Sequence, residues 1–127
     1  MTTERHATKT ILLVEDEPDV VLMVRGRLTS WGYDVIAAAN GQEALDLVHQ
    51  RLPDLILLDL KIPILSGREM CHQLKTDQRF ANIPVILVTS GNGIALEEER
   101  RAIQADDCVL KPFESAELLA KIKKWIA

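Results

Sequence analysis

The chain has 127 residues, of which 47% are hydrophobic, which fits one globular domain and excludes a disordered chain. Its formal net charge of -4 argues against nucleic acid as a direct partner, because phosphate binding needs concentrated lysine and arginine. No apolar run approaches the roughly 20 residues of a membrane span, so we expect no membrane partner either.

A polar tail without pattern occupies residues 1–9, and we predict that it is disordered and that one domain covers residues 10–127. After the tail, short apolar runs alternate five times with segments of helical periodicity. Strands are predicted at residues 10–14, 34–38, 54–58, 84–88 and 108–110. The helices that follow them in turn are predicted at residues 18–31, 41–51, 67–76, 95–105 and 115–126.

Particular residues explain several ends of the predicted helices. Pro18 fits a first helical turn, where its missing N–H would have no partner in any case. Gly32 can end the first helix in a left-handed conformation. Asn40 and Ser66 are each followed three residues later by a glutamate, which is typical of helix N-caps.

The regular alternation predicts an α/β fold, with a doubly wound parallel sheet and right-handed crossover connections. In such sheets, ligands bind beyond the carboxyl ends of the strands. Asp16, Asp59, Thr89 and Lys111 all follow predicted strands at that edge. Acids, a hydroxyl and a lysine that converge there suit a divalent cation and a phosphoryl group.

The two cysteines, Cys71 and Cys108, lie far apart and form no Cys-x-x-Cys pair. With no recognisable signal peptide at the N-terminus, this pattern predicts reduced thiols in a cytoplasmic protein.

Four motifs occur at strand ends: LVEDE at residues 13–17, DLILLDLKIP at 54–63, PVILVTS at 84–90 and LKPF at 110–113. With these motifs in this order, the chain resembles the receiver domains of two-component response regulators over nearly all of its length after the tail. The resemblance implies a flavodoxin-like sheet of five parallel strands in the order 2-1-3-4-5, with five helices.

The resemblance implies that Asp59 is the phosphoacceptor. A carboxylate can attack a phosphoryl group directly and form an acyl phosphate. In a loose transition state the protein then contributes mainly position and positive charge. An aspartate that only caps the turn after a strand would be the better interpretation if Asp59 stood without the other motifs.

The neighbouring acids are implied ligands of Mg²⁺, because three negative charges in one pocket are costly unless a cation neutralises them. By resemblance, Asp16 binds the metal directly and Glu15 acts partly through water. Asp59 and the backbone carbonyl of Lys61 complete the ligand set. Glu17 is an alternative candidate for a ligand, but an acid that stabilises the amino end of the first helix is the better interpretation.

The ends of the last two strands also have implied roles. Lys111 places a positive charge over the phosphoryl oxygens, and Thr89 hydrogen-bonds the phosphoryl group and shifts inward when it arrives. Ser90 is the small residue that leaves access to Asp59, although a plain turn residue is nearly as good an interpretation. The peptide bond before Pro112 is expected to be cis on the resemblance alone.

Cys108 departs from the family, which usually has a tyrosine or phenylalanine at this position of the switch. A thiol cannot swing between exposed and buried positions as that ring does, so Thr89 is expected to act without its usual partner. Cys108 is then expected to be a small buried hydrophobe. Lys61 also borders the site, and its long side chain is expected to slow the loss of phosphate.

The implied function is a phosphoacceptor signalling switch of a two-component phosphorelay, not an enzyme, although it promotes its own phosphotransfer and dephosphorylation. The implied donor is a sensor histidine kinase or a histidine phosphotransfer protein. A downstream protein target is expected on the face formed by the fourth helix, the fifth strand and the fifth helix.

Other functions stay open from the sequence. One is a phosphorylation-independent docking scaffold, and another is the receiver part of a longer regulator with a DNA-binding or enzymatic output. A flavin- or nucleotide-binding enzyme on the same fold is disfavoured, because acids rather than a glycine-rich phosphate loop follow the first strand.

Overall fold

Parallel strands and helices alternate along the chain. The computed structural model describes residues 8–60, 65–90 and 93–126. Its strands are β1 Thr10–Val14, β2 Asp34–Ala38, β3 Leu55–Leu58, β4 Val85–Thr89 and β5 Asp107–Leu110. Its helices are α1 Pro18–Ser30, α2 Gly41–Gln50, α3 Gly67–Lys75, α4 Gly93–Ile103 and α5 Ser115–Trp125. The strands form one parallel sheet in the order β2-β1-β3-β4-β5, which confirms the predicted flavodoxin-like fold.

The sheet has a hydrophobic core on each face. The first core lies under α2, α3 and α4 and includes Leu58, Met70 and Leu96, while the second lies under α1 and α5 and includes Leu57 and Leu118. All residues of β1, β3 and β4 are buried, because helices cover both faces of these strands. The central strands therefore form a fixed platform for the polar residues at their carboxyl ends.

β1 and β2 have the predicted bounds, whereas the bounds of β3, β4 and β5 differ from the predicted ones by one residue. β3 starts after Asp54, whose carboxylate accepts a hydrogen bond from the Thr10 N–H at 2.7 Å. β4 starts after Pro84, which has no N–H to donate to a ladder, and it extends to Thr89. β5 starts one residue earlier than predicted, at Asp107.

The predicted helix ends at two N-caps and one glycine are confirmed. The Asn40 side chain accepts a hydrogen bond from the Glu43 N–H at 2.8 Å, and the Ser66 hydroxyl accepts one from the Glu69 N–H at 3.1 Å. Gly32 follows α1 with a φ of 94°, in the left-handed region that favours glycine.

Three other predictions concern the tail with the domain bounds, a membrane span and the cysteines. Residues 1–7 of the predicted tail lie outside the described residues, so the tail and the domain bounds stay predictions. None of the described helices is long and apolar enough to cross a membrane. Cys71 and Cys108 are free cysteines, as predicted.

The end of α4 has a conformation that side chains disfavour. The Ala105 N–H bonds to the Arg100 carbonyl at 3.0 Å and the Gln104 N–H bonds to the Arg101 carbonyl at 3.2 Å, which is the pattern of a Schellman motif. Gln104 has a φ of 63°, at the position where glycine is usual. Its Cβ atom costs about 1 to 2 kcal/mol in this left-handed conformation.

Lys75, the last residue of α3, points its ammonium group inward. Its Nζ atom donates to the Ala81 carbonyl at 3.1 Å, the Ile83 carbonyl at 3.0 Å and the Asp106 carboxylate at 2.8 Å. The same Asp106 oxygen accepts the Val85 N–H at 2.8 Å. One lysine thus joins the end of α3 to the starts of β4 and β5, and only 9% of its side chain is exposed.

Gln104→Gly is expected to raise the free energy of unfolding by about 1 kcal/mol, because glycine adopts the left-handed conformation without the cost of a Cβ atom. Urea denaturation measures the change. Gln73→Gly is the matched control, since Gln73 is exposed inside the right-handed helix α3. That variant should lose about 1 kcal/mol. A loss of stability in both variants would contradict the strain at Gln104.

Lys75→Met is expected to lower the free energy of unfolding by about 2 to 3 kcal/mol, because two carbonyls and a carboxylate lose their donor. The loss stays below that of a fully buried ion pair, since 28% of the Asp106 side chain is exposed. Lys123→Met, at an exposed position of α5, should change stability by less than about 0.5 kcal/mol. Equal urea midpoints for the two variants would contradict a structural role of Lys75.

Candidate functional site

Four neighbouring strands deliver polar side chains to one edge of the sheet. Glu15 and Asp16 follow β1, Asp59 follows β3, Thr89 ends β4 and Lys111 follows β5. The backbone hydrogen bonds between strands continue past the strand ends. The Asp59 N–H donates to the Val14 carbonyl at 3.0 Å, and the Lys111 N–H donates to the Thr89 carbonyl at 2.9 Å. The backbone of the sheet therefore fixes where each of these side chains begins.

Lys111 joins two of the acids through its ammonium group. Its Nζ atom lies 2.7 Å from Glu15 Oε1 and 3.2 Å from Asp59 Oδ2. Only 3% of the Glu15 side chain and 9% of the Asp59 side chain are exposed. Charge-assisted bonds in such a sheltered place are stronger and more rigid than ion pairs on the surface.

Glu15, Asp16 and Asp59 form an acidic cluster, in which one carboxylate oxygen of each residue lies within 4.8 Å of the others. Glu15 and Asp59 are buried, whereas Asp16 is exposed and opens the cluster to solvent. Among the described residues, three carboxylates and one ammonium group leave an excess of two negative charges. A hard divalent cation with oxygen ligands, such as Mg²⁺, matches both the donor set and this excess.

Burial and neighbouring charges shift the pKa values of Glu15 and Lys111. Burial raises the pKa of the Glu15 carboxyl and the charge of Asp59 adds to the effect, while the hydrogen bond from Lys111 opposes it. Burial by itself would lower the pKa of Lys111, but its bonds to Glu15 and its attraction to Asp59 outweigh burial and raise that pKa. Lys111 therefore stays protonated at neutral pH.

The remaining predicted site residues have different outcomes. Thr89 is buried, and Ser90 is exposed directly after it. The peptide bond between Lys111 and Pro112 is cis, as expected. Lys61, predicted to offer its backbone carbonyl to the metal, lies outside the described residues. The expected roles of all these residues stay predictions.

Cys108 is half-buried rather than fully buried, and its surroundings are more polar than expected for a small hydrophobe. It packs at the edge of the first core, while its Sγ atom lies 3.7 Å from the Glu97 carboxylate. Burial and the charge of Glu97 raise the pKa of this thiol, so it stays protonated and can donate a hydrogen bond.

An open groove beside the acidic cluster was not predicted from the sequence. It has a volume of about 390 Å³ and is lined by Asp16, Pro18, Val21, Leu22 and Arg25, among others. The Leu22 residue is 74% exposed, which is unusual for a large apolar side chain. In the sequence, Leu22 does not fall on the helical stripe that contains the buried α1 positions 24 and 28. This spacing is the signal that could have marked Leu22 as exposed.

Comparisons with known proteins support a family assignment. The family model described as response regulator receiver domain matches residues 11–123. The chain is 38% identical over 115 residues to the phosphate regulon transcriptional regulatory protein PhoB of Pseudomonas aeruginosa. This match covers 91% of this chain and 50% of that protein. A regulator from Guillardia theta, "Probable transcriptional regulator ycf27", is 36% identical, and the match covers 89% of this chain and 43% of that protein. The chain thus spans about half the length of these relatives.

Solved structures give the same picture. The chemotaxis protein CheY4 of Vibrio cholerae matches with a TM-score of 0.87 and 27% identity, over 94% of this chain and all of that one (100%). The receiver domain of a sensor histidine kinase from Pseudomonas aeruginosa matches with a TM-score of 0.87 and 30% identity, over 94% of this chain and 98% of that one. The latter structure has a magnesium ion coordinated in its active site cleft.

Mg²⁺ is expected to stabilise the domain, by about 1.4 kcal/mol when its concentration is ten times the dissociation constant. Thermal melting at constant ionic strength measures the effect. Asp16→Asn should remove most of the shift, because it takes away one of the three clustered carboxylates. Glu17→Gln is the matched control, since Glu17 is exposed and lies outside the described cluster. A shift that Glu17→Gln abolishes and Asp16→Asn preserves would contradict this cluster as the metal site.

Proposed function

Because this chain belongs to the response regulator receiver domain family, we propose that it is a phosphoacceptor switch of a two-component phosphorelay with Asp59 as the acceptor. The observation that carries the proposal is the ammonium group of Lys111, which joins Asp59 to Glu15 within a cluster of three carboxylates. The site thus combines the solvent-exposed side at Asp16, the nucleophilic carboxylate of Asp59 and the positive charge of Lys111.

The proposed chemistry is transfer from a phosphohistidine. An oxygen of Asp59 attacks the phosphorus atom, the phosphorus–nitrogen bond breaks, and its electron pair returns to the imidazole nitrogen of the donor, which takes a proton from solvent. The product is an acyl phosphate. The Nζ atom of Lys111 lies 3.2 Å from Asp59 Oδ2. From this position it can also stabilise the negative charge that develops on the phosphoryl oxygens.

Glu15, Asp16 and Asp59, with the backbone carbonyl of Lys61, would hold Mg²⁺ in this proposal. Bound there, the ion supplies positive charge to the phosphoryl oxygens and relieves the repulsion among the carboxylates. The main support is that the clustered side chains offer only oxygen ligands and that, within the described part of the chain, their negative charge exceeds the positive charge by two.

The proposed signal starts at Thr89. Its hydroxyl would donate a hydrogen bond to the phosphoryl group, and Ser90 beside it would leave room for that group. Thr89 ends β4, and α4 follows after a short connection, so an inward shift of Thr89 would be transmitted to α4. The proposed output surface for a downstream protein is the face of α4, β5 and α5.

The proposed donor, a sensor histidine kinase or a histidine phosphotransfer protein, would approach from the side of the exposed Asp16. The groove beside it offers the exposed Leu22 as an apolar contact. A cytoplasmic location is part of the proposal, in keeping with two free cysteines. Because relatives of about twice this length are transcriptional regulators, a DNA-binding output is a second candidate for the whole protein, and the absence of a nucleic-acid partner stays a prediction.

A phosphorylation-independent docking scaffold is the other candidate function. The observation in its favour is Cys108, which replaces the aromatic residue usual in the family. The complete set of Glu15, Asp16, Asp59 and Lys111 favours the phosphoacceptor instead, because a scaffold has no need to bury carboxylates around an ammonium group.

Incubation with Mg²⁺ and acetyl phosphate is expected to add the mass of one phosphoryl group to the wild-type protein. Asp59→Asn should abolish the addition, because an amide is a poor nucleophile. Lys111→Met should slow it by about 100-fold, the usual effect of losing one group that stabilises a transition state. Asp46→Asn is the control, since Asp46 is exposed on α2. Intact-mass spectrometry over time measures all four proteins.

A mass gain in wild type that Asp59→Asn retains would assign the phosphoryl group to another residue. No gain in wild type, with Mg²⁺ binding intact, would support the scaffold. Equal rates for Lys111→Met and wild type would remove the electrostatic argument on which the proposed chemistry depends.

A further inference from the structure

Cys108 lies on the side of the sheet that α4 covers. In the ladder between β4 and β5, Leu87 pairs with Cys108 and Thr89 pairs with Leu110. Leu87 belongs to the first core, and Cys108 and Leu110 pack against it. Since side chains alternate along a strand, Thr89 faces the same side as Leu87. Thr89 and Cys108 therefore share one surface beneath α4.

The Glu97 carboxylate on α4 has hydrogen-bond donors from two elements, α4 itself and β5. It accepts hydrogen bonds from Arg100 Nε at 3.0 Å and Arg100 Nη2 at 2.7 Å. The Cys108 thiol on β5 lies 3.7 Å from its other oxygen, within range for a bond to sulfur. The hydrogen bonds from Arg100 lower the pKa of Glu97, whereas burial and the charge of Glu97 raise that of Cys108. A charged acceptor thus faces a protonated donor.

Arg100 extends this network to the end of α4. Its Nη1 atom donates to the Ala105 carbonyl at 2.9 Å. Ala105 lies just after Gln104, the residue with the disfavoured left-handed conformation. The same arginine thus supports the strained turn between α4 and β5 and orients the carboxylate that meets the thiol.

We propose that Glu97, Arg100 and Cys108 form a polar latch between α4 and β5, at the place where the family usually has an aromatic switch residue. The latch adds a polar contact to the apolar packing of α4 on the sheet, and its opening lets α4 shift. The contact between Glu97 and Cys108 is weak, because 40% of the Glu97 side chain is exposed and thiols are poor hydrogen-bond donors. A weak latch suits an element that must move, since a small change at Thr89 can then shift its position.

The role of the latch in signalling rests on the proposed function, but its existence does not. Amide hydrogen exchange on the full chain, without Mg²⁺ or a phosphodonor, tests it directly. Glu97→Gln and Cys108→Ala are each expected to speed exchange in α4 by about two- to five-fold, the range expected for a contact of this strength. Exchange in β1 and β3 should stay unchanged, because the latch does not hold the central strands.

The controls separate the latch from general effects on charge and packing. Glu98→Gln removes the same charge from an exposed position of the same helix and should leave exchange in α4 unchanged. Cys108→Ser keeps a donor and should preserve most of the protection that Cys108→Ala loses. The double variant Glu97→Gln/Cys108→Ala should exchange no faster than Glu97→Gln, because both changes break one contact.

Three results would overturn the latch: equal exchange in α4 for Glu97→Gln and Glu98→Gln, additive effects in the double variant, or faster exchange spread evenly over β1 and β3. None of these results bears on phosphorylation of Asp59. Conversely, a protein that takes no phosphoryl group from acetyl phosphate can still show the latch in full.

Discussion

The ammonium group of Lys111 is the constraint on which the site depends. Glu15 and Asp59 are buried side by side, and two carboxylates in such a place repel each other. Lys111 bridges them at 2.7 and 3.2 Å, although it lies 96 and 52 residues away along the chain. Removing this one charge would leave the repulsion between the two buried carboxylates less balanced, which lowers the stability of their arrangement.

The parallel sheet makes this bridge a consequence of topology rather than of local sequence. β1 is paired with β3, β3 with β4 and β4 with β5, so the carboxyl ends of four strands meet at one edge. The central strands are buried on both faces and leave little freedom to their ends. The rigid part of the molecule thus positions the charges, while α4 packs at its side through Leu96 and Ile103 and the polar contact to Cys108.

Local patterns were enough to predict the strands, several helix ends and the strand-end residues, whereas the strand order came from the resemblance to receiver domains. Apolar runs, Gly32 and the caps at Asn40 and Ser66 act within a few residues, so their effects can be predicted from sequence. The inward ammonium group of Lys75 depends on carbonyls brought near by folding. The turn at Gln104 lacks the usual glycine, so no local signal marked it. Such features require the three-dimensional structure.

The charge balance at the site relates Asp59 to α4 in the proposed switch. A phosphoryl group adds roughly -1.5 to -2 charges, and a divalent cation offsets only the existing excess on the carboxylates. In the proposed switch, the added oxygens must then find donors near Asp59, and Thr89 ends the neighbouring strand. Thr89 shares a face of the sheet with Cys108, whose contact to Glu97 holds α4. In the proposed switch, one hydrogen bond to the phosphoryl group contributes about 1.5 to 3 kcal/mol, which exceeds the free energy of a contact between a thiol and a half-exposed carboxylate. The proposed gain at Thr89 can therefore offset the loss of that contact when α4 shifts.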